Sequence, residues 1–211
     1  MELKTLGILG SSGFIGSRIC KVLSHKYKIV KVNKNFKSKK SLKIDYLICC
    51  SGPNKFWCAK NKELIINDSN KLAVNIINFC KKNKVRKLIY CSSIQILNKN
   101  NNHLMPYIKW HKNIEKNLKK SNIQKIIIRL PNIFGKPEKN KKNLWNFFIN
   151  SIIKKSYLQQ LIYIKNKPNN KVFAMPLNYF LKILENEINI KHNRLTKIKN
   201  LNNIFKFRTD E

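Results

Sequence analysis

Apolar and polar positions fall into blocks with two distinct periods. Residues 6–9 form a short apolar run that reads as a buried strand, and a glycine-rich turn, residues 10–16, follows it. Phe14, Ile15, Ile19, Val22 and Leu23 then recur at helical spacing. Residues 27–33 alternate like a second strand, and residues 35–43 are a polar connection. Residues 45–54 read as a strand ending in a Gly-Pro turn. Residues 63–82 predict a long helix with Leu72, Ile76, Ile77 and Cys80 on one side. A strand at 86–93, a helix at 106–120 and a fifth strand at 123–132, closed by proline, complete this part. Beyond Gly135 the pattern loosens. Residues 144–155 are helical, with Leu144, Phe147, Phe148 and Ile152 in register, 161–164 are strand-like, and 177–187 form a further helix. The Asn- and Lys-rich tail shows no clear period, and no internal repeat is present.

Buried-looking strands that alternate with helices argue an α/β fold, a parallel sheet covered on both faces. The expectation is a Rossmann-like doubly wound sheet with a small C-terminal lobe. Residues 1–135 would form the main domain, and residues 136–211 a reduced lobe packed on it as one unit.

Charge changes the picture more than composition does. Lys and Arg number 44 against 10 Asp and Glu, for a net charge of +34. Lysine far outnumbers arginine, and Asn and Ile are abundant, as AT-rich codons would dictate; that bias does not by itself remove carboxylates. Weak, salt-sensitive nucleic-acid binding follows from such a charge whatever else the chain does. The lysines are scattered, with short clusters at residues 37–40 and 139–142. The six cysteines, Cys20, Cys49, Cys50, Cys58, Cys80 and Cys91, form no CxxC pair and lie mostly in apolar segments. That is the pattern of reduced, packed thiols, with neither a disulfide framework nor a metal site. No cleavable leader and no run of about 18 apolar residues is visible, so the reading is a cytoplasmic protein without membrane insertion.

The turn "GSSGFIG" carries the first candidate chemistry. Between a strand and a helix, Gly10 supplies a positive φ, Gly13 lets a pyrophosphate approach the backbone, and Gly16 lets the helix pack against the sheet. The N–H groups of the helix start attract phosphate. Ser12, Phe14 and Ile15 belong to the same cradle. The second strand ends in Asn33 and Lys34 where a carboxylate would usually hold the adenosine ribose. A lysine there suits a 2′-phosphate, hence NADP over NAD.

Several stretches in order resemble the extended short-chain dehydrogenase/reductase family, the NAD-dependent epimerases and dehydratases. The resemblance runs from about Leu3 to Gly135 and fades toward Leu184. "GSSGFIG" is similar to the family's glycine motif, and "DYLICCSGPN" to the strand end whose small residues, here Ser51 and Gly52, line the cofactor. "ELIINDSNKLAVNIINFCKKNKVRKLIYCSS" resembles the helix carrying an asparagine, here Asn67, and the strand ending in the catalytic hydroxyl, here Ser93. "PYIKWHKNIE" resembles the Tyr-x-x-x-Lys segment, with Tyr107 on the tyrosine, and "IIIRLPNIFGKPE" matches the later motif at Arg129, Asn132 and Gly135. The resemblance implies a nucleotide-sugar epimerase, dehydratase or reductase, in surface-polysaccharide biosynthesis, using NADP or NAD. Tyr107 would move the hydroxyl proton, and Ser93 would hold the substrate oxygen. Arg129 and Asn132 would face the substrate, although Arg129 equally suits bracing the loop after its strand. Family members pair through two helices, here 63–82 and 106–120, which implies a homodimer that the lysines on those helices oppose.

The chain also departs from the family. His111 stands where lysine belongs, and histidine is shorter and largely neutral at pH 7. Tyr107, His111, Ile114 and Leu118 share one helix face, while Lys109 and Lys112 point elsewhere. The connection from Asn33 to Asp45 is too short for the family's usual third strand, and "VFAMPLN" replaces its usual His-Val-Asp-Asp-like stretch. A second reading therefore stays open: a catalytically impaired member, serving as a cofactor-binding scaffold or a basic RNA-associated protein.

Overall fold

The computed structural model describes residues 3–36, 42–97, 104–135, 158, 172–191, 194–201 and 206–207. The expected helix at 144–155, the strand at 161–164 and the lysine clusters at 37–40 and 139–142 lie outside them. Two compact units are present. The first comprises residues 1–130 and 191–200, the second 131–190 and 201–211.

The first unit is built on a parallel sheet of β1 (Thr5–Leu9), β2 (Lys28–Val32), β3 (Tyr46–Cys49), β4 (Lys87–Ser93), β5 (Lys125–Leu130) and, from the tail, β8 (Thr196–Asn200). Their order across the sheet is β2-β1-β3-β4-β5-β8. Every residue of β1, β3 and β4 is buried, as the continuous apolar runs required of strands covered on both faces. Alternate residues serve opposite faces. Leu47, Cys49, Leu88 and Tyr90 join one core cluster with Ile76, Cys80, Ile114 and Leu118. In register, Leu9 pairs Cys49, and Cys49 pairs Tyr90. The doubly wound order 3-2-1-4-5-6 places a further strand outside the second one. Here β2 is the edge among the described residues, in keeping with the short 33–45 connection.

Helix α1 (Phe14–Leu23) follows the glycine turn and buries Gly16, Ile19 and Leu23. The six-residue α2 (Lys55–Lys60), which the pattern did not announce, starts where the Asn54 side chain accepts a 2.8 Å bond from Trp57 N. Helices α3 (Ile65–Lys82) and α4 (Met105–Lys120) run side by side and are joined by polar side chains. Asn70 Oδ1 accepts from Asn113 Nδ2 at 2.8 Å and from Asn117 Nδ2 at 2.9 Å, and Asn113 Nδ2 also reaches Ser69 Oγ at 2.7 Å. Lys125 is almost fully buried; its Nζ donates to Ser121 O at 2.6 Å and Thr196 Oγ1 at 3.3 Å, tying the end of α4 and β8 to β5.

The second unit holds β6 (Asn132–Phe134), β7 (Val172–Pro176) and β9 (Lys206–Phe207) in one small sheet, with α5 (Leu177–Asn189) packed by Phe180, Leu181, Leu184 and Ile188. "VFAMPLN" thus forms β7 and the first turn of α5. Among the described residues, no helix is long and apolar enough to cross a membrane.

Candidate functional site

Strand order reverses between β1 and β3, and the C-terminal ends of such strands are where open α/β sheets bind ligands. The glycine loop lies there. Gly10 has φ +89°, and a Cβ on it would sit 2.9 Å from the Cys50 carbonyl carbon and the Ser51 nitrogen. A Cβ on Gly16 would sit only 2.1 Å from Gly10 O. These two glycines are therefore demanded by the turn itself. Gly13 differs, since a Cβ there would meet only Gly10 O, at 3.2 Å, and the residue is exposed. Its N–H donates to Gly10 O at 2.9 Å, and no side chain caps the helix that it opens. Uncapped first-turn amides of Phe14 and Ile15, at the positive end of a helix, are suited to a pyrophosphate. This cradle fits a dinucleotide. Ser12 is exposed in the loop, Ser51 is buried beside Gly10, and Gly52 is exposed. Asn33 and Lys34 are both exposed just past β2, and no carboxylate replaces them there.

Ser93 ends β4, and Tyr107 stands in the first turn of α4. The Ser93 hydroxyl is near enough to Tyr107 to lower its pKa, but burial outweighs it and holds the phenol above its ordinary value. His111 lies one turn on, its ring edge-on to Tyr107 with centroids 4.7 Å apart. It is 6% exposed, and its Nδ1 is 2.8 Å from the Tyr90 hydroxyl. Burial drives its pKa down to about 4, so the ring is neutral at pH 7. The sequence placed His111 on Tyr107's face; only the fold reveals that its polar contact is with Tyr90 on the sheet. No cation stands behind the tyrosine at this position.

One further turn along, Glu115 is buried and accepts 2.9 and 2.6 Å bonds from Arg129 Nε and Nη2 and a 2.7 Å bond from Ser92 Oγ. Burial raises its pKa, but the bonds from Arg129 and Ser92 outweigh that and leave it below the usual carboxylate value. Arg129 is thus engaged by both nitrogens as a brace between β5 and α4. Asn67 is exposed on α3, and no hydrogen bond joins it to the Ser93–Tyr107 pair. Asn132 is exposed on β6, in the second unit. Cys50 and Cys91 bring their sulfurs to 3.5 Å beneath the cradle, and all six cysteines are free. Their mutual bond and burial hold the Cys50 thiol well above its ordinary pKa, which keeps it protonated.

Tyr90, Trp110 and Glu115 went unread in the sequence. Glu115 left a signal: a carboxylate in an acid-poor helix, four residues past His111 on the buried face. Trp110 left none. Its Nε1 is buried without a hydrogen-bond partner, 3.6 Å from where a Cβ on Gly52 would lie.

Residues 42–146 match the model of an NAD(P)H-binding family. No curated protein sequence matches the chain. Solved structures do. A UDP-N-acetylglucosamine 4-epimerase from Methanobrevibacter ruminantium superposes with a TM-score of 0.74 at 15% identity, over 98% of this chain and 79% of its own. The UDP-glucuronic acid 4-epimerase from Bacillus cereus, solved with NAD, gives 0.75 at 13% identity over 97% and 79%. The NAD complex of the Bordetella bronchiseptica enzyme WbmG gives 0.71 at 13% over 99% and 75%. The fold and the glycine cradle define an NAD(P)-binding Rossmann-like protein. Within that class, this chain has the fold of the extended short-chain dehydrogenases/reductases, the NAD-dependent epimerases and dehydratases, as its motifs implied.

Proposed function

We propose that this chain is an NAD(P)-dependent oxidoreductase that reduces a carbonyl on a nucleotide-linked sugar, as a step toward surface polysaccharide. The placing of Ser93 at the end of β4 and of a half-buried Tyr107 in the first turn of α4, its phenol held protonated by burial, carries the reading. When bound, the cofactor supplies the hydride. Ser93 Oγ holds the substrate oxygen, and the Tyr107 phenol delivers its proton to that oxygen as negative charge develops there. A tyrosine whose pKa burial has raised is a poor base at neutral pH and a competent acid. Oxidation of a sugar hydroxyl needs the opposite, a tyrosinate, which a neutral His111 does not favour. Gly10, Gly13 and Gly16 shape the pyrophosphate site, Ser51 and Gly52 line the neighbouring strand end, and Lys34 selects a 2′-phosphate and so NADP. The basic surface suits a diphosphate-linked substrate.

Rates with NADPH and UDP-4-keto sugars, and the reverse oxidation, are to be followed from pH 6 to 10. Reduction holds steady through neutral pH, oxidation climbs with pH, and Tyr107→Phe lowers turnover by roughly 10²–10⁴-fold. Gly13→Asp abolishes saturable NADP(H) binding in calorimetry at high salt, because its carboxylate occupies the pyrophosphate position. Oxidation that is fast and flat near pH 7 overturns the assignment of direction. His111 also supports the second reading, a cofactor-binding scaffold without turnover. Intact cofactor binding with no turnover of any keto sugar, and none gained in His111→Lys, establishes that reading instead.

A further inference from the structure

The α3–α4 pair carries a second feature that the proposed chemistry does not use. A groove of about 750 Å³ runs along its outer face. Its floor is apolar, from Ile65, Ile66 and Pro106, and its walls bear Lys62, Lys109, Lys112 and Lys116. Among the described residues, no carboxylate lines it. All four lysines are exposed, and among the described residues none of their ammonium groups is in an ion pair or hydrogen bond. Lys109, Lys112 and Lys116 follow i, i+3, i+7 spacing on one helix face, so they form a row spanning about 10 Å.

An aromatic flank adjoins the row. Ala59 of α2 lines the groove, and Phe56 lies one turn before it on the same face. Phe56 is 64% exposed, with Lys55 Nζ 5.2 Å from its ring centre. Neighbouring Trp57 is partly exposed and edge-on to Trp110. Asn113 spends its side-chain N–H groups on Ile66 O, Ser69 and Asn70, which leaves its side-chain Oδ1 without a donor among the described residues of the wall.

We infer that this groove binds single-stranded RNA, with the lysine row on successive phosphates and a base stacked on Phe56. A charged channel beside exposed aromatics is the general solution for unpaired strands. An acidic peptide would satisfy the lysines and leave Phe56 without a role. A second copy of the chain would set the lysine rows against each other. A ribose 2′-hydroxyl donates to an oxygen such as that of Asn113, and deoxyribose has no such donor. The site is separate from the glycine cradle, so it stands whether or not the chain turns over a sugar.

The test is the affinity of the full chain for a fluorescent twelve-nucleotide oligo(U) across a salt series. Lys109→Gln/Lys112→Gln/Lys116→Gln is compared with Lys21→Gln/Lys28→Gln/Lys31→Gln, which removes equal charge from the exposed α1–β2 side. The groove variant binds tenfold or more weakly, and its log–log salt slope shrinks by about two, at roughly 0.7 per phosphate contact for a single strand. The control variant changes less than twofold. Phe56→Ala weakens binding severalfold with the slope intact, and oligo(dU) binds more weakly than oligo(U). Thermal melts and NADP(H) binding check that each variant is folded. Equal losses in the two triple variants, or an unaffected Phe56→Ala, overturn the site. Equal affinity for oligo(dU) overturns the assignment to RNA, and a stable dimer that buries the lysines without binding RNA overturns both.

Discussion

Gly16 and Gly13 stand three residues apart and answer to different demands. A methyl group at Gly16 would meet the Gly10 carbonyl at a distance no atoms tolerate, whereas one at Gly13 would stand 3.2 Å from that carbonyl oxygen, a tight contact that a small shift relieves. Gly16→Ala therefore forces α1 off the sheet and lowers the thermal midpoint as well as cofactor affinity, at a cost on the order of 1–3 kcal/mol for forced overpacking. A variant that melts with the wild type sinks this account of the turn. His111 sets a pH dependence. Its folded pKa of about 4 lies below the unfolded value near 6.5, so the unfolded chain binds the extra proton between them. Its contribution is complete above about pH 6.5 and is lost as pH falls toward 4, up to about 3 kcal/mol in all. Urea unfolding at pH 7.5 and 5.5 checks this. Wild type loses about 1 kcal/mol more than His111→Gln over that interval, as one pKa unit is worth roughly 1.4 kcal/mol. Parallel losses in the two proteins would refute the assignment.

At the scale of elements, the α3–α4 seam is polar where helix pairs are usually apolar. Asn70 receives bonds from both Asn113 and Asn117, so one side chain holds two turns of the facing helix. Asn70→Ala removes the shared acceptor, while Asn113 Nδ2 keeps Ser69 Oγ and Asn117 Nδ2 keeps the Asn113 backbone carbonyl. The expected loss is about 0.5–1.5 kcal/mol of unfolding free energy, the range of a typical intramolecular hydrogen bond. Asn70→Asp, which keeps an acceptor at the same place, loses less. If chemical denaturation ranks the two the other way, the ladder does not hold the helices. The strand and helix order of the first unit was legible because β3, β4 and β5 are continuous apolar runs and the helices repeat near 3.6 residues. Helix α2 was not, because six residues are too few to show a period.

Across the whole molecule, a net charge of +34 repels itself in the compact state. Some of it is absorbed inside the fold, since Lys125 is buried on backbone and hydroxyl oxygens, with burial lowering its pKa. The exposed remainder interacts through solvent, where the screening length falls from about 10 Å at 0.1 M salt to about 3 Å at 1 M. The thermal midpoint thus rises with sodium chloride over this range, in the absence of nucleic acid. A midpoint that falls or stays level shows that the charges are spaced widely enough not to oppose folding.

Local pattern by itself determined the alternation of strand and helix, the glycine turn between them, and the placing of His111 one helical turn from Tyr107. These follow from periods and spacings within a few turns of chain, which are written in consecutive residues. Only tertiary structure decided that β8 from the tail completes the sheet beside β5, since "TKIKN" carries no strong alternation and is held there by pairing with Lys125–Arg129. It likewise decided that Arg129 turns to Glu115, that His111 turns to Tyr90 and stays neutral, and that a row of lysines on α4 faces a groove beside Phe56. A side chain's partner and its protonation depend on burial and on residues distant in sequence. Those are properties of the packed molecule, and no window of the sequence contains them.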